Sequence, residues 1–185
     1  MHAPLARVCV TGPESTGKTT LARRLAEWAG TECVPEASRL YAERITRPLR
    51  ESDVSPIARE HIAQADAADA RARARDAALL VLDTDLVSTV IYARHYYGRV
   101  PPWIARAERA RRASLYLLCD VDVPWIPDGV RDRPVHRDEM FALFRCALAR
   151  RHAKLIVICG DWSVRWDLAR DALAGVGRRP RTDRP

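Results

Sequence analysis

The eight residues Gly12-Pro13-Glu14-Ser15-Thr16-Gly17-Lys18-Thr19 constrain this chain more than any other feature. They fit G-x-x-x-x-G-K-[ST] at every fixed position, and that pattern demands particular surroundings. A buried strand must deliver the chain to the first glycine. A helix must start at the second, so that main-chain N–H groups and the helix's positive end converge on a phosphate. The sequence supplies both. Arg7 to Thr11 is apolar and β-branched, as in a strand covered on both faces. From Gly17 to Trp28, Leu21, Ala22, Leu25 and Trp28 recur at the helical period. Lys18 is placed to neutralise the β and γ phosphates of ATP, and the Thr19 hydroxyl to ligate Mg²⁺. Gly12, Glu14, Ser15, Thr16, Gly17, Lys18, Thr19 and Thr20 are therefore the expected ATP-binding residues, with ATP and Mg²⁺ as cofactors.

The rest of the chain continues the alternation of strand and helix. Cys33 to Glu36 reads as a short second strand that Pro35 weakens, and Ala37 to Thr46 as a helix stopped before Pro48. An alanine-rich helix with Pro56 near its start runs to about Ala78, and Ala78 to Leu82 is the strongest strand signal. Helices follow from Leu86 to Tyr97, closed by Gly98, and from Pro102 to Arg112. Ser114 to Leu118 and Leu155 to Cys159 complete five strands, and Asp138 to Arg151 and Ser163 to Leu173 are helical. This order predicts an α/β fold, a P-loop NTPase three-layer sandwich around a five-stranded parallel sheet, of nucleoside- or nucleotide-kinase-like type. Residues 1–175 are expected to form one kinase-like domain, and 176–185 a basic flexible tail.

Composition narrows the partners. The net charge of +7 could suggest nucleic acid, but arginines such as Arg71, Arg73 and Arg75 alternate with Asp66, Asp69 and Asp76, which argues against it. Lysine occurs only at Lys18 and Lys154, which makes Lys18 more telling. None of the five cysteines forms a C-x-x-C pair, and Cys9, Cys119 and Cys159 read as small hydrophobes in buried strands. No apolar run approaches a membrane span and no signal-peptide pattern opens the chain, so the expected location is the cytoplasm.

A phosphate loop alone does not choose a reaction. Guanine recognition by N-K-x-D is missing from both lysine contexts, and there is no room for the helical second domain of a motor ATPase. Acids at strand ends favour a small-molecule kinase. Asp83 ends a strand where a carboxylate organises Mg²⁺, although Asp83, Thr84 or Asp85 could each cap the next helix. Glu36 ends the second strand at the phosphate-loop edge, where a carboxylate accepts the proton of a phosphoryl acceptor. Glu36 and the Asp83/Asp85 pair remain rival bases. Arg131, Arg133 and Arg137, in the segment from Pro124 to Arg137, are placed to close over ATP and offset transferring charge. Gly160, Asp161 and Trp162 follow the fifth strand and are placed to face adenine. The competing readings are a nucleotide-dependent binding or regulatory module without a phosphoryl acceptor, and a nucleic-acid-stimulated ATPase.

The stretches GPESTGKTTLARRLA, VPEASRLYAER, LVLDTDLVSTVIYARHYYG, WIPDGVRDRP and ICGDWSVRWDLA together resemble the ribosylnicotinamide kinase domain of NadR-type proteins, within a broader group of AAA-labelled P-loop domains. The resemblance implies ATP- and Mg²⁺-dependent phosphorylation of the 5′-hydroxyl of nicotinamide riboside, for NAD supply. It implies Lys18 and Thr19 on ATP and metal, and Asp83 on metal. It further implies Glu36 as base or substrate contact, Arg131 and Arg133 in a lid, and Arg39, Asp85 and Tyr92 on the nucleoside. Eleven residues precede Gly12 and no H-x-G-H occurs, so adenylyl transfer and repression are not carried over. Oligomeric state is left open.

Overall fold

A computed structural model describes residues 5–124 and 137–176 of the chain. Five strands, β1 (Ala6–Thr11), β2 (Cys33–Val34), β3 (Leu79–Asp83), β4 (Leu115–Cys119) and β5 (Leu155–Ile158), build one sheet in the order β2-β3-β1-β4-β5. Every pairing is parallel. Among the described residues the α-helices are α1 (Lys18–Trp28), α2 (Ala37–Ile45), α3 (Val54–Ala74), α4 (Leu86–Tyr97), α5 (Pro102–Ala110), α6 (Arg137–Arg150) and α7 (Trp162–Ala174).

Side chains alternate across a strand, so apolar runs bury both faces of the sheet. Val8, Val10, Val81 and Leu117 pack on one side with Leu21 and Leu25 of α1 and Leu173 of α7. Cys9, Leu80, Leu82 and Leu118 pack on the other, against Ala65, Ala68 and Ala72 of α3, Ile91 of α4 and Phe144 of α6. The result is the expected three-layer sandwich. A separate cluster of Val54, Ala58, Leu86, Val90 and Ile104 joins α3, α4 and α5. It fixes the angle at which α3 and α4 stand beside the sheet, and so the shape of the space between them.

The differences from the sequence reading are local. β2 stops at Val34, because Pro35 has no N–H to give a ladder. The α3 pattern suggested a helix to about Ala78, but the helix ends at Ala74, where Ala77 N–H bonds back to the Ala72 carbonyl at 3.0 Å. Cys9 and Cys119 are buried as expected; Cys159 is only half-buried, one residue beyond β5. Arg71 and Arg75 pair with Glu32, Arg7 and Arg73 with Asp69, and Arg111 with Asp66. The arginines around α3 are thus matched by acids. Arg131, Arg133 and the tail beyond residue 176 lie outside the described residues. Among the described residues, no helix is long and apolar enough to cross a membrane.

Register brings the site together. Val10 of β1 stands opposite Asp83 of β3, and the Thr84 N–H reaches the Val10 carbonyl at 2.9 Å. The segment leading into Gly12 and the one leading into α4 therefore leave the sheet side by side, at the carboxyl edge where ligands of parallel sheets bind.

Candidate active site

Gly12 leaves β1 at φ +139°, and a Cβ there would stand 2.7 Å from the Cys119 carbonyl oxygen. Only glycine lets the loop lie this close to the end of β4. Gly17 adopts φ +78° immediately before α1, whose first residue is Lys18. Inside the loop the buried Lys18 Nζ donates to the Pro13 carbonyl oxygen at 2.6 Å, and Thr16 Oγ1 donates to the same oxygen at 2.9 Å. The ammonium is thus held within the turn by a carbonyl that an anionic ligand can replace. Charge, N–H groups and the α1 terminus together make a phosphate site.

Asp83 closes that site from β3. Thr19 Oγ1 donates to Asp83 Oδ2 at 2.6 Å, which joins the two expected metal ligands across 64 residues of sequence. Burial lifts the Asp83 pKa to about 6, and the nearby Glu36 carboxylate adds to the rise. Asp83 Oδ1 is buried without a hydrogen-bond partner among the described residues. A hydroxyl and a carboxylate with one orphaned oxygen suit a hard cation that takes its other ligands from water and phosphate, as Mg²⁺ does. No cluster of three or more His, Cys, Asp or Glu side chains able to hold a metal occurs among the described residues.

A cavity of about 440 Å³ opens between α2, α3 and α4, and Glu14 of the phosphate loop forms part of its wall. This is ample for a nucleoside-sized ligand. Glu36 and Asp85 line it at the sheet edge, and Tyr92, Tyr96 and Tyr97 line it from α4. Glu36 is almost fully buried and accepts from Ser38 Oγ at 2.7 Å, with Arg39 Nε 3.9 Å from its other oxygen. Asp85 is the cap of α4: its Oδ1 accepts from Val87 N–H at 2.9 Å, and its Oδ2 from Tyr116 O–H at 2.8 Å. Burial raises its pKa to about 6 as well. Of the three candidate caps, Asp85 does the work. Thr84 between the two aspartates holds φ +66°, which is costly for a β-branched residue and turns one carboxylate toward the loop and the other toward the helix.

The other predicted residues sit around this centre. Tyr92 stacks on Tyr96 with ring centroids 6.0 Å apart and 11° between planes, so α4 offers a flat aromatic wall. Arg39 stands at the rim of Glu36, outside the cavity lining. Thr20 is exposed on the first turn of α1. Asp161 caps α7 by accepting from the Ser163 and Val164 N–H groups at 2.8 and 3.0 Å. The following Trp162 lies over Gly17, where an added Cβ would meet its Cη2 at 2.3 Å. This half-exposed indole does not line the cavity. Arg137 donates to the Ser15 carbonyl at 3.2 Å and to the Val123 carbonyl at 3.1 Å, so it braces the loop from α6.

Sequence reasoning missed Arg165. It is fully buried and donates to the carbonyls of Gly160 at 2.8 Å, Thr16 at 3.2 Å and Asp120 at 3.1 Å, besides an ion pair with Asp122. One guanidinium therefore ties the phosphate loop to the ends of β4 and β5. Nothing in an arginine-rich helix marks this arginine out. Tyr96 carried a usable signal, four residues after Tyr92 and so on the same helical face. His61, on α3 and in the cavity wall, was also overlooked.

Known proteins share this architecture. Residues 7–165 match the family model described as AAA domain. Over 130 residues the chain is 32% identical to the trifunctional NAD biosynthesis/regulator protein NadR of Escherichia coli strain K12, a match spanning 67% of this chain and 30% of that protein. The chain thus corresponds to under a third of that relative. Among solved structures, a NadR protein in complex with NR superposes with a TM-score of 0.79 at 22% identity, over 95% of this chain and 50% of that one. A NadR protein in complex with NAD and AMP-PNP gives 0.75 at 25% identity, over 97% and 52%.

Proposed function

The chain belongs to the AAA domain family, and from that membership and the site's geometry we propose that it is an ATP-dependent kinase of a riboside, with nicotinamide riboside the foremost acceptor and its 5′-hydroxyl the group phosphorylated. One observation carries the reading. The phosphate loop and a nucleoside-sized cavity share a wall at Glu14, and buried carboxylates stand at the junction. A hydrolytic switch has no use for such a cavity; a phosphotransferase needs it.

In this reading Lys18 and the loop N–H groups hold the β and γ phosphates, and Trp162 flanks the adenine side with Gly160 and Asp161. Thr19 and Asp83 would hold Mg²⁺, whose bound charge offsets that of the phosphates. Glu36 accepts the proton of the acceptor hydroxyl as its oxygen bonds to the γ-phosphorus and the bridging bond to ADP breaks. Asp85 is engaged with the α4 terminus and Tyr116, so it shapes the acceptor site and leaves the base role to Glu36. The pyridinium ring of nicotinamide riboside is cationic, and Tyr92 and Tyr96 with the nearby acids favour a flat cation. Arg131, Arg133 and Arg137 would act from the segment beyond β4, and Arg39 at the rim. We assign residues 1–175 to this one kinase domain and the reaction to the cytoplasm. The related NadR proteins' regulatory role is not proposed for this chain.

The test is ADP release with ATP and Mg²⁺ over a panel of ribosides and deoxyribosides. The reading expects nicotinamide riboside to accelerate turnover far above the rate with water alone. A rate indifferent to every acceptor would overturn the kinase reading in favour of the competing ones.

A further inference from the structure

Several polar side chains of the cavity wall have no part in the proposed chemistry, and His61 is one of them. His61 sits on α3, is 6% exposed, and forms part of the cavity wall together with Val54 and Ile57 of the same helix. No hydrogen bond to its ring occurs among the described residues. The cavity lining also includes Leu49 and Ala93 of α4, beside the polar Arg50 and Ser88. A buried polar group is ordinarily satisfied, and one left open toward a cavity is waiting for a ligand atom.

Burial above all, with the positive charges of Arg111 and Arg7 and against the pull of Asp66, brings the His61 pKa down to about 4. At neutral pH the imidazole is therefore uncharged, with one nitrogen donating and the other accepting. A neutral ring tolerates a cationic heterocycle, which an imidazolium would repel.

We propose that His61 is a specificity-determining residue of the acceptor site, reading by hydrogen bond the amide substituent of a nitrogen heterocycle joined to ribose. The inference rests on the kinase reading and deepens it. The sheet edge, with Glu36, takes the ribose hydroxyl that is phosphorylated. The far wall on α3 takes the substituent at the other end of the nucleoside. A carboxamide presents both a donor and an acceptor, and the neutral imidazole can meet either. A carboxylate or an unsubstituted ring offers less. Removing a hydrogen bond that one substrate makes and its analogue does not lowers discrimination between them rather than turnover of both.

The experiment compares kcat/KM for nicotinamide riboside, nicotinic acid riboside and unsubstituted pyridinium riboside in the wild type, His61→Leu and His61→Gln. One neutral hydrogen bond corresponds to roughly a three- to tenfold preference. The wild type should prefer the carboxamide to the bare ring by about that factor. His61→Leu should erase the preference through KM, with kcat within about twofold, and His61→Gln should restore part of it. Thermal midpoints confirm that each variant is folded. Should His61→Leu not fold, the His61→Gln preference and its KM against kcat split carry the test alone. An unchanged carboxamide preference in a folded, active variant overturns the assignment while the kinase reading stands. A wild type that turns over no riboside overturns the kinase reading, and this inference with it.

Discussion

Replacing Asp83 by asparagine should make the ligand-free protein more stable and the enzyme nearly inactive. Asp83 is 2% exposed, and its pKa rises from 3.8 to about 6 through burial and the Glu36 charge. A carboxyl group that binds its proton more tightly when folded adds stability below its unfolded pKa and loses it as pH climbs through the folded one. The loss therefore falls between about pH 4 and pH 6. A shift of about two units, at ~1.4 kcal/mol each, means that the ionised group costs the native state about 3 kcal/mol at neutral pH. Asparagine keeps an oxygen for the Thr19 hydroxyl but still desolvates an amide, so the net gain should be about 1–2 kcal/mol. Urea unfolding without nucleotide or metal measures it, and the gain should shrink by about 2 kcal/mol between about pH 7.5 and about pH 4.5. Asp85 titrates over the same range in both proteins and cancels from the difference. Meanwhile kcat/KM should fall at least ~100-fold, since a metal-holding carboxylate is lost. An Asp83→Asn protein that is less stable than wild type by the same amount at both pH values would refute the reasoning.

Three further changes probe the surroundings. Arg165→Met strips three carbonyls and Asp122 of their donor and should cost about 3 kcal/mol in urea unfolding, with KM for ATP raised and KM for the acceptor little changed. Glu36→Gln should lower kcat by roughly 10²–10⁴-fold with ATP affinity, read by calorimetry, within about threefold of wild type. Gly17→Ala forces an L residue to φ +78° and drives a Cβ onto Trp162. It should cost about 1 kcal/mol from the backbone alone, and Trp162→Ala in the same chain should relieve only the excess over that, as thermal midpoints would register.

Much of the fold was legible because its strands are buried on both faces and its helices carry regular apolar stripes. Runs such as Leu79–Asp83 and Leu155–Ile158 have no amphipathic alternative, and Leu86–Tyr97 begins at an aspartate and ends before a glycine. Boundaries slipped where a single residue decides, as at Pro35, which cut β2 to two residues. The phosphate loop was readable because its chemistry is local in sequence. Arg165 and His61 were not, for the opposite reason. Arg165 gains its meaning from the Asp122 carboxylate and the carbonyls of Asp120 and Thr16, 43 to 149 residues away, and His61 from a cavity whose other walls include α2 and α4. Asp85 was foreseen as a contact, yet its bond to Tyr116 spans 31 residues and makes it a brace as well. Spacing along a chain carries no trace of such meetings.

The central claim is that this site moves a phosphoryl group onto a riboside rather than onto water. ATP labelled with ³²P at the γ position, incubated with the protein, Mg²⁺ and nicotinamide riboside, tests it directly when the products are separated by charge. The account predicts one labelled riboside monophosphate formed for each ADP, and none with Lys18→Met. Label found only in inorganic phosphate, with riboside recovered unchanged, would contradict it.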